Sequence, residues 1–247
     1  MKKSLKSSFI IGLIILLTSG IASATAFLDI TATDGAGTAT LNLMDLVYGP
    51  GGTPGIGQDQ SGTQGIVRTG ITSLGDFDIE IGVSGYSKPI PTNGPNTAHM
   101  HLNTDVSSFG AGTLTINFKE DDFSFANPDP ISGMAEFLSG IGGGAADGAT
   151  VTYNTKLTDS NGTVVLSDSG VLAGAGYGFN ESVTAHVASP DQFVLEMTVV
   201  VTHGSKGGVT STDSTITGSP VPEPATMFLL GFGLLGVAGL SRNKFGR

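Results

Sequence analysis

The feature that most constrains the fold is a period-two alternation of apolar and polar residues in the middle of the chain. Every second residue from Phe193 to Val201 is apolar, and shorter runs of the same kind cover residues 77–83, 114–118 and 151–157. This period places one strand face against a core and the other in water, which is typical of antiparallel sheets. The nearest helical pattern, at residues 133–138, is too short to form a helix alone.

Turn-forming residues divide these runs. Asp159–Gly162 predicts a hairpin, and the glycine-rich run over residues 140–148 predicts a flexible tip. Many short strands with glycine-rich turns favour an all-β fold, an antiparallel β-sandwich that is jelly-roll-like or immunoglobulin-like. We expect one such domain over residues 25–204, followed by a polar linker over residues 205–220.

The composition of the chain excludes several classes of protein. There is no cysteine, which rules out disulfides, Cys-ligated zinc and a Cys nucleophile. Residues 25–221 contain 5 Lys and Arg against 20 Asp and Glu, a net charge of −15. Such a surface repels nucleic acid and other acidic polymers, and it favours cations or neutral and basic partners.

The N-terminus has the pattern of a secretory signal peptide over residues 1–24. Three lysines lie in the first six residues, and an apolar run covers residues 9–17. Ala22 and Ala24 form the small-x-small site that signal peptidase accepts, and a second acceptable cut follows Ala26. The alternative is an uncleaved N-terminal membrane anchor.

A second apolar segment, residues 225–240, lies near the C-terminus. Sixteen helical residues span about 24 Å at 1.5 Å each, a little less than a hydrocarbon core of about 30 Å. A basic tail of Arg242, Lys244 and Arg247 follows. Positive charge stays in the cytoplasm, so a transmembrane helix here would leave the preceding domain on the other side of the inner membrane.

Directly before this segment stands a short motif, Val221, Pro222, Glu223 and Pro224. The order of Pro-Glu-Pro, a Gly/Leu-rich apolar helix and a basic tail over residues 221–247 closely resembles the sorting signal of PEP-CTERM proteins. The alternative is a plain single-pass anchor. The resemblance implies a Gram-negative bacterium that makes extracellular polysaccharide, and processing by a membrane-embedded exosortase. The product would reside at the cell surface or in the exopolysaccharide matrix of a biofilm.

Two stretches within the body also look familiar. Residues 98–123 are similar to strand-turn-strand segments of PEP-CTERM ectodomains that have no assigned activity. Residues 35–43 resemble residues 110–118, with six of nine positions identical. A duplicated subdomain and a recurring turn-then-strand solution both explain this internal echo.

His99 and His101 flank Met100 in a strand-like run, so both imidazoles should lie on one face, continued by Asn103 and Asp105. His-x-His with a carboxylate is a pattern that holds divalent metals, although a second strand would have to add ligands. The alternative is a pair of solvent-facing histidines.

Acidic residues suggest a calcium site. Glu120, Asp121, Asp122 and Asp129 cluster around a predicted turn, and calcium prefers several oxygen ligands from loops. A second acidic ladder comprises Asp76, Asp78 and Glu80. The alternative for both groups is a solvated charged face that discourages edge aggregation.

The sequence offers little that points to catalysis. There is no Gly-x-Ser-x-Gly elbow, and the absence of tryptophan removes the strongest platform for sugar stacking. We therefore expect a non-enzymatic exported protein with a structural or adhesive role in exopolysaccharide. A surface-attached module that binds carbohydrate or calcium is the alternative, and an exported hydrolase is a third hypothesis.

Overall fold

The structure is a computed structural model that describes residues 26–45, 59, 66–70, 72–86, 97–125, 134–174, 178–188, 192–221 and 229–235. Within these ranges the side chains of residues 80–86, 122, 173 and 174 are left out of the description. The predicted signal peptide and the basic tail lie outside the described residues.

The described residues form β-strands almost throughout. The strands are β1 (Ala26–Asp34), β2 (Gly37–Met44), β3 (Ile66–Arg68), β4 (Thr72–Leu74), β5 (Phe77–Tyr86), β6 (Ala98–Ser108), β7 (Gly112–Phe123), β8 (Met134–Ala145), β9 (Ala149–Asp159), β10 (Gly162–Gly174), β11 (Gly178–Ala188), β12 (Phe193–His203) and β13 (Gly208–Pro220).

The strands make two antiparallel sheets. The six-stranded sheet has the order β10-β9-β12-β7-β1-β2, and the seven-stranded sheet has the order β11-β8-β13-β6-β5-β3, with β4 paired to β5. The two sheets form a β-sandwich, so the predicted all-β antiparallel class is confirmed.

The core lies between the sheets and follows the alternation seen in the sequence. The inward side chains of β12, from Phe193 to Val201, are all at most 2% exposed, and those of β7 and β9 are equally buried. Phe193 is the centre of an aromatic cluster, with ring centroids 5.6 Å from Phe123, 5.2 Å from Phe125 and 5.7 Å from Phe137. The predicted hairpin also forms, because the Asp159 carboxylate accepts the backbone N–H groups of Asn161 and Gly162.

A buried histidine forms hydrogen bonds between the two sheets. Ser108 Oγ donates to the carbonyl of Gly110, so it accepts from Nδ1 of His203. The other ring nitrogen, Nε2, then accepts from the hydroxyl of Thr210 at 2.7 Å. His203 is 1% exposed, and this burial lowers its pKa. The neutral imidazole thus links β12 to the opposite sheet.

Two segments differ from the sequence prediction. Residues 208–220 of the expected polar linker are strand β13, which pairs with β6 on one side and β8 on the other. The expected flexible tip at residues 140–148 belongs to β8 as far as Ala145, and only residues 146–148 turn. Ile141, Val209 and Ile216 are the only large apolar residues of these two segments, too few to show a period of two.

Both ends of the sandwich sequence emerge at the same end of the fold. Ala26 pairs with Glu120 near the end of β7, and Gly218 pairs with Ala98 at the start of β6. Since β6 and β7 are joined at the opposite end by residues 109–111, we call the end with Ala26 and Pro220 the terminal end. The opposite end, which holds the turns at 109–111, 146–148 and 204–207, is the far end.

The internal echo has a structural counterpart. The first copy forms β2 and the second forms β7, and these two strands pair with opposite edges of β1. Thr38 and Thr113 both lie opposite Thr33, while Thr40 and Thr115 both lie opposite Thr31. The echo therefore places equivalent side chains on either side of one strand.

Candidate functional site

The predicted polar face of β6 exists, and β13 completes it. His99, His101, Asn103 and Asp105 point outward from the seven-stranded sheet, while Ala98, Met100 and Leu102 point into the core. His101 Nε2 lies 2.7 Å from Asp213 Oδ1, and His99 Nδ1 lies 3.3 Å from Thr217 Oγ1. A binding site on this face requires side chains from a second strand. Strand β13, which the sequence predicted to be part of a linker, supplies them.

The environment of His99 favours its neutral form. Burial lowers the pKa of His99, and the neighbouring imidazole of His101 lowers it further. Among the described residues, no group of three or more His, Cys, Asp or Glu could hold a metal ion. The His-x-His pair instead contacts Asp213 and Thr217 of the neighbouring strand β13, and the four side chains form a polar surface patch.

On the other side of β13, strand β8 presents glycines to solvent. Gly140, Gly142 and Gly144 lie opposite Thr215, Asp213 and Ser211 of β13 in the sheet register. A Cβ added at Gly144 would meet nothing within 4 Å, and one at Gly142 would meet only a backbone oxygen at 3.7 Å. Close packing does not demand glycine at these two positions, so its effect is to leave the outer surface of β8 bare.

Polar side chains flank this bare strand. On the far side of β8, the outward residues of β11 are Asn180, Ser182 and Thr184. We call the surface formed by Gly140, Gly142 and Gly144, with the β13 and β11 side chains as walls, the glycine trough. The two walls are two strand spacings apart, about 9.6 Å. Leu138, with half of its surface exposed, closes one end.

The chemistry of the glycine trough suits a neutral polyol. Its walls carry hydroxyl, amide and carboxylate groups, which both donate and accept hydrogen bonds. His101 holds one oxygen of Asp213, and the side chain of Asp213 is still 60% exposed. Sequence reasoning missed the trough because its floor is glycine and one wall was assigned to a linker.

The structure does not bring the predicted calcium ligands together as far as it describes them. Glu120 lies within strand β7 and is fully buried, whereas Asp121 faces the opposite, outer side of the same strand. The Asp122 side chain and Asp129 lie outside the described residues. In the second acidic ladder, Asp78 accepts a hydrogen bond from Ser73, and the side chain of Glu80 is not described. Glu120 and Asp121 do not ligate one ion together, because successive residues of a strand point to opposite faces of the sheet.

The predicted sorting motif begins where the sheet ends. Val221 donates its backbone N–H to the carbonyl oxygen of Met134 at 3.0 Å. Pro222, Glu223 and Pro224 lie outside the described residues, as do parts of the predicted transmembrane helix at 225–240. A helix is described at residues 229–235, with its apolar side chains exposed. Over the part of the chain that the structure covers, no helix has the length and apolar character needed to cross a membrane.

Comparison with known proteins supports the motif. The PEP-CTERM protein-sorting motif family matches residues 220–243. Such a motif implies export, processing by an exosortase and a location at the surface or outside the cell. Among curated proteins, no sequence matches this chain.

Several solved structures share features of the sandwich. One is the enzymatically active domain of tailspike protein 4 of bacteriophage CBA120, at 13% identity and a TM-score of 0.31, covering 59% of this chain and 20% of that chain. A family 35 carbohydrate-binding module from Clostridium thermocellum has 12% identity, a TM-score of 0.26 and coverages of 53% and 86%. A xylan-binding domain from Paenibacillus barcinonensis has 9% identity, a TM-score of 0.28 and coverages of 64% and 88%. These values are too low for the likeness to extend to a ligand or an activity.

Proposed function

We propose that this chain, which carries a PEP-CTERM sorting motif at residues 220–243, is a non-enzymatic exported protein that binds neutral polysaccharide of the extracellular matrix. Signal peptidase removes the N-terminal segment, and the C-terminal segment holds the body transiently at the inner membrane. An exosortase then processes the motif, and the sandwich reaches the cell surface or the biofilm matrix. The sorting motif is the observation that carries the delivery half of this proposal.

The positions of the first and last residues of the sandwich support this route. Residue 26 and residue 221 both lie at the terminal end of the sandwich. Before processing, the N-terminal and C-terminal apolar segments would both hold the sandwich at the membrane by its terminal end. Its far end would then be directed away from the membrane. Removal of either segment would therefore leave the orientation of the sandwich relative to the membrane unchanged.

The glycine trough supports the binding half of the proposal. Its walls offer hydroxyl, amide and carboxylate groups, and Leu138 supplies an apolar contact at one end. Sugars are recognised by such mixed donors and acceptors together with apolar contact. The body has a net charge of −15, so a neutral polymer is favoured over an acidic one.

The proposal requires no catalysis and no cofactor. Calcium binding near the end of β7 stays a separate prediction. It is tested by thermal unfolding with and without millimolar calcium, because a ligand that binds only the folded state raises the melting temperature. A melting temperature independent of calcium would remove that prediction and leave the polysaccharide proposal untouched.

The delivery half is tested by the intact mass and location of the native protein in its own cells. We expect loss of both end segments and a body outside the cell. A full-length C-terminus retained in the inner membrane would contradict the proposal.

The binding half is tested by affinity electrophoresis or sedimentation with purified matrix polysaccharide from the same cells. The double substitution Gly142→Leu and Gly144→Leu should fill the trough and abolish binding, since neither site is crowded by neighbouring atoms. Asn42→Leu, on the exposed edge strand of the other sheet, is the matched control and should bind as the wild type does. Correct export without binding would overturn only this half.

A further inference from the structure

The outer face of the six-stranded sheet carries a regular array of threonines. Five adjacent strands, β2, β1, β7, β12 and β9, each place two residues at matching register positions. Nine of these ten positions are threonine and the tenth is valine. The first rank is Thr38, Thr33, Thr113, Thr202 and Thr150, and the second rank is Thr40, Thr31, Thr115, Val200 and Thr152.

All ten side chains point away from the core. Their sequence neighbours Ala32, Leu114, Val151 and Val201 are buried, and the array residues themselves are half-buried or exposed. Within the first rank, Oγ1 of Thr33 lies 3.2 Å from Oγ1 of Thr38, and Oγ1 of Thr113 lies 3.2 Å from Oγ1 of Thr202. The β-branched side chains have few rotamers, so each position presents a methyl and a hydroxyl with little freedom.

The array repeats in two directions. Neighbouring strands are about 4.8 Å apart, and residues i and i+2 of a strand are about 6.8 Å apart. Both distances are close to repeats of oxygen atoms on the faces of hexagonal ice. Small-molecule sites are instead concave, and an extended sheet face with a two-dimensional repeat suits a crystalline surface better.

Charge separates the array from the rest of the molecule. None of its ten residues is charged, although the body carries −15. The charged residues of this outer face lie nearer the terminal end. Lys119, Glu196 and Lys156 form one rank, and Asp29 lies in the rank next to the array. A neutral array of methyl and hydroxyl groups complements an uncharged water lattice, and its place at the far end would direct it away from the membrane.

We propose that the threonine array binds ice. Val200 fits this role, because it keeps the methyl group and the branched shape of threonine, with a second methyl group in place of the hydroxyl. Neighbouring strands in a sheet are rotated by about 20–25°, so the best match falls on the central strands β1, β7 and β12. This inference does not depend on the polysaccharide proposal, since the glycine trough lies on the other sheet.

The test uses the exported protein purified from the cells that make it. We expect the wild type to enrich in slowly growing polycrystalline ice, to shape single ice crystals and to produce a thermal hysteresis gap. The double substitution Thr33→Tyr and Thr202→Tyr should abolish all three. Both residues are exposed, and tyrosine is favoured in strands, so the fold should persist; circular dichroism and a thermal melt check this.

Two further variants separate the array from a general surface effect. Thr158→Tyr, exposed on the same outer face but nearer the terminal end and outside the array, should leave ice binding intact. Thr202→Val should retain ice binding, because valine already stands at position 200 of the array. Absence of hysteresis and crystal shaping in the wild type would overturn the proposal, as would a folded Thr33→Tyr/Thr202→Tyr protein that still binds ice. Binding to a crystalline polysaccharide but not to ice would also overturn it and reassign the array.

Discussion

Strands β12 and β13 follow one another in the chain, and each is an inner strand of its sheet, yet they are built from opposite kinds of residue. The inward side chains of β12 are Phe193, Leu195, Met197, Val199 and Val201. Those of β13 are Thr210, Thr212, Ser214, Ile216 and Gly218. Both sets are buried at 2% exposure or less wherever a value is given. A polar strand can therefore be buried in the middle of a sheet as fully as an apolar one.

The two strands are stabilised by different interactions of their buried side chains. β12 removes large apolar surface from water. β13 forms cross-strand hydrogen bonds instead: Thr212 Oγ1 lies 2.7 Å from Thr104 Oγ1, and Thr210 contacts His203 of the facing sheet. Gly218 lets the ring of Phe137 approach, because a Cβ there would lie 2.3 Å from that ring. Hydrophobicity identifies the first kind of strand, and only its partners identify the second.

The largest effect should come from removing β13. A chain ending at Lys206 loses the strand between β6 and β8 and should show no cooperative unfolding, whereas a chain ending at Val221 keeps every described strand. Circular dichroism during thermal unfolding compares the two. If the shorter chain unfolds at the same temperature and as cooperatively as the longer one, the fold does not require β13, and residues 205–220 behave as the predicted linker.

Truncating a core residue of β12 should have the next largest effect. Leu195 is fully buried, and Leu195→Ala should lower the free energy of unfolding by about 2–5 kcal/mol, through lost burial and the cavity left behind. Denaturant unfolding measures the change. As a control, Val194→Ala on the outer face of the same strand should cost less, and an equal loss would show that inward burial is not the cause.

A smaller loss should follow from unpairing the hydroxyls of β13. Thr212→Ala should cost about 1–3 kcal/mol, because it leaves the buried Thr104 hydroxyl without this partner. Replacing both Thr104 and Thr212 by valine should cost less than Thr212→Ala, since no hydroxyl is then stranded. Chemical denaturation of the two variants measures both losses, and a larger loss in the double variant would refute the hydrogen-bond explanation.

The smallest effect should be a pH dependence from the histidine that joins β12 to β13. The pKa of His203 is lowered in the folded protein, so the unfolded chain binds a proton at a higher pH than the folded one. Stability from this group is therefore complete above the ordinary histidine pKa of about 6.5 and falls as the pH drops below it. His99 contributes in the same direction.

The free energy of unfolding between about pH 7.5 and pH 5 measures this effect through its slope. His203→Gln, which keeps a donor and an acceptor without titrating there, should flatten the slope. His186→Gln, at an exposed position, should leave it unchanged. A slope that is unchanged in His203→Gln would assign the pH dependence to other groups.

The parts of the fold that depend on residues close together in the sequence were predictable. The apolar alternation of β7, β9 and β12 identified their buried faces, and Asp159–Gly162 identified a hairpin because its carboxylate caps the turn locally. The prediction failed at β13 and at the glycine-rich part of β8. Glycine, serine and threonine there leave no apolar period to detect, and their burial depends on strands that are distant in sequence.

The candidate sites divide in the same way. The sequence alone determined the outward face of β6 and the sorting motif, since both depend on residues next to each other along the chain. Only the tertiary structure decided that Asp213 meets His101, that Glu120 and Asp121 sit on opposite sides of one strand, and that threonines from five strands align in ranks. Periodicity along a chain fixes which way a side chain points, whereas its neighbours across a sheet depend on strand order and register, which are set by pairing between distant segments.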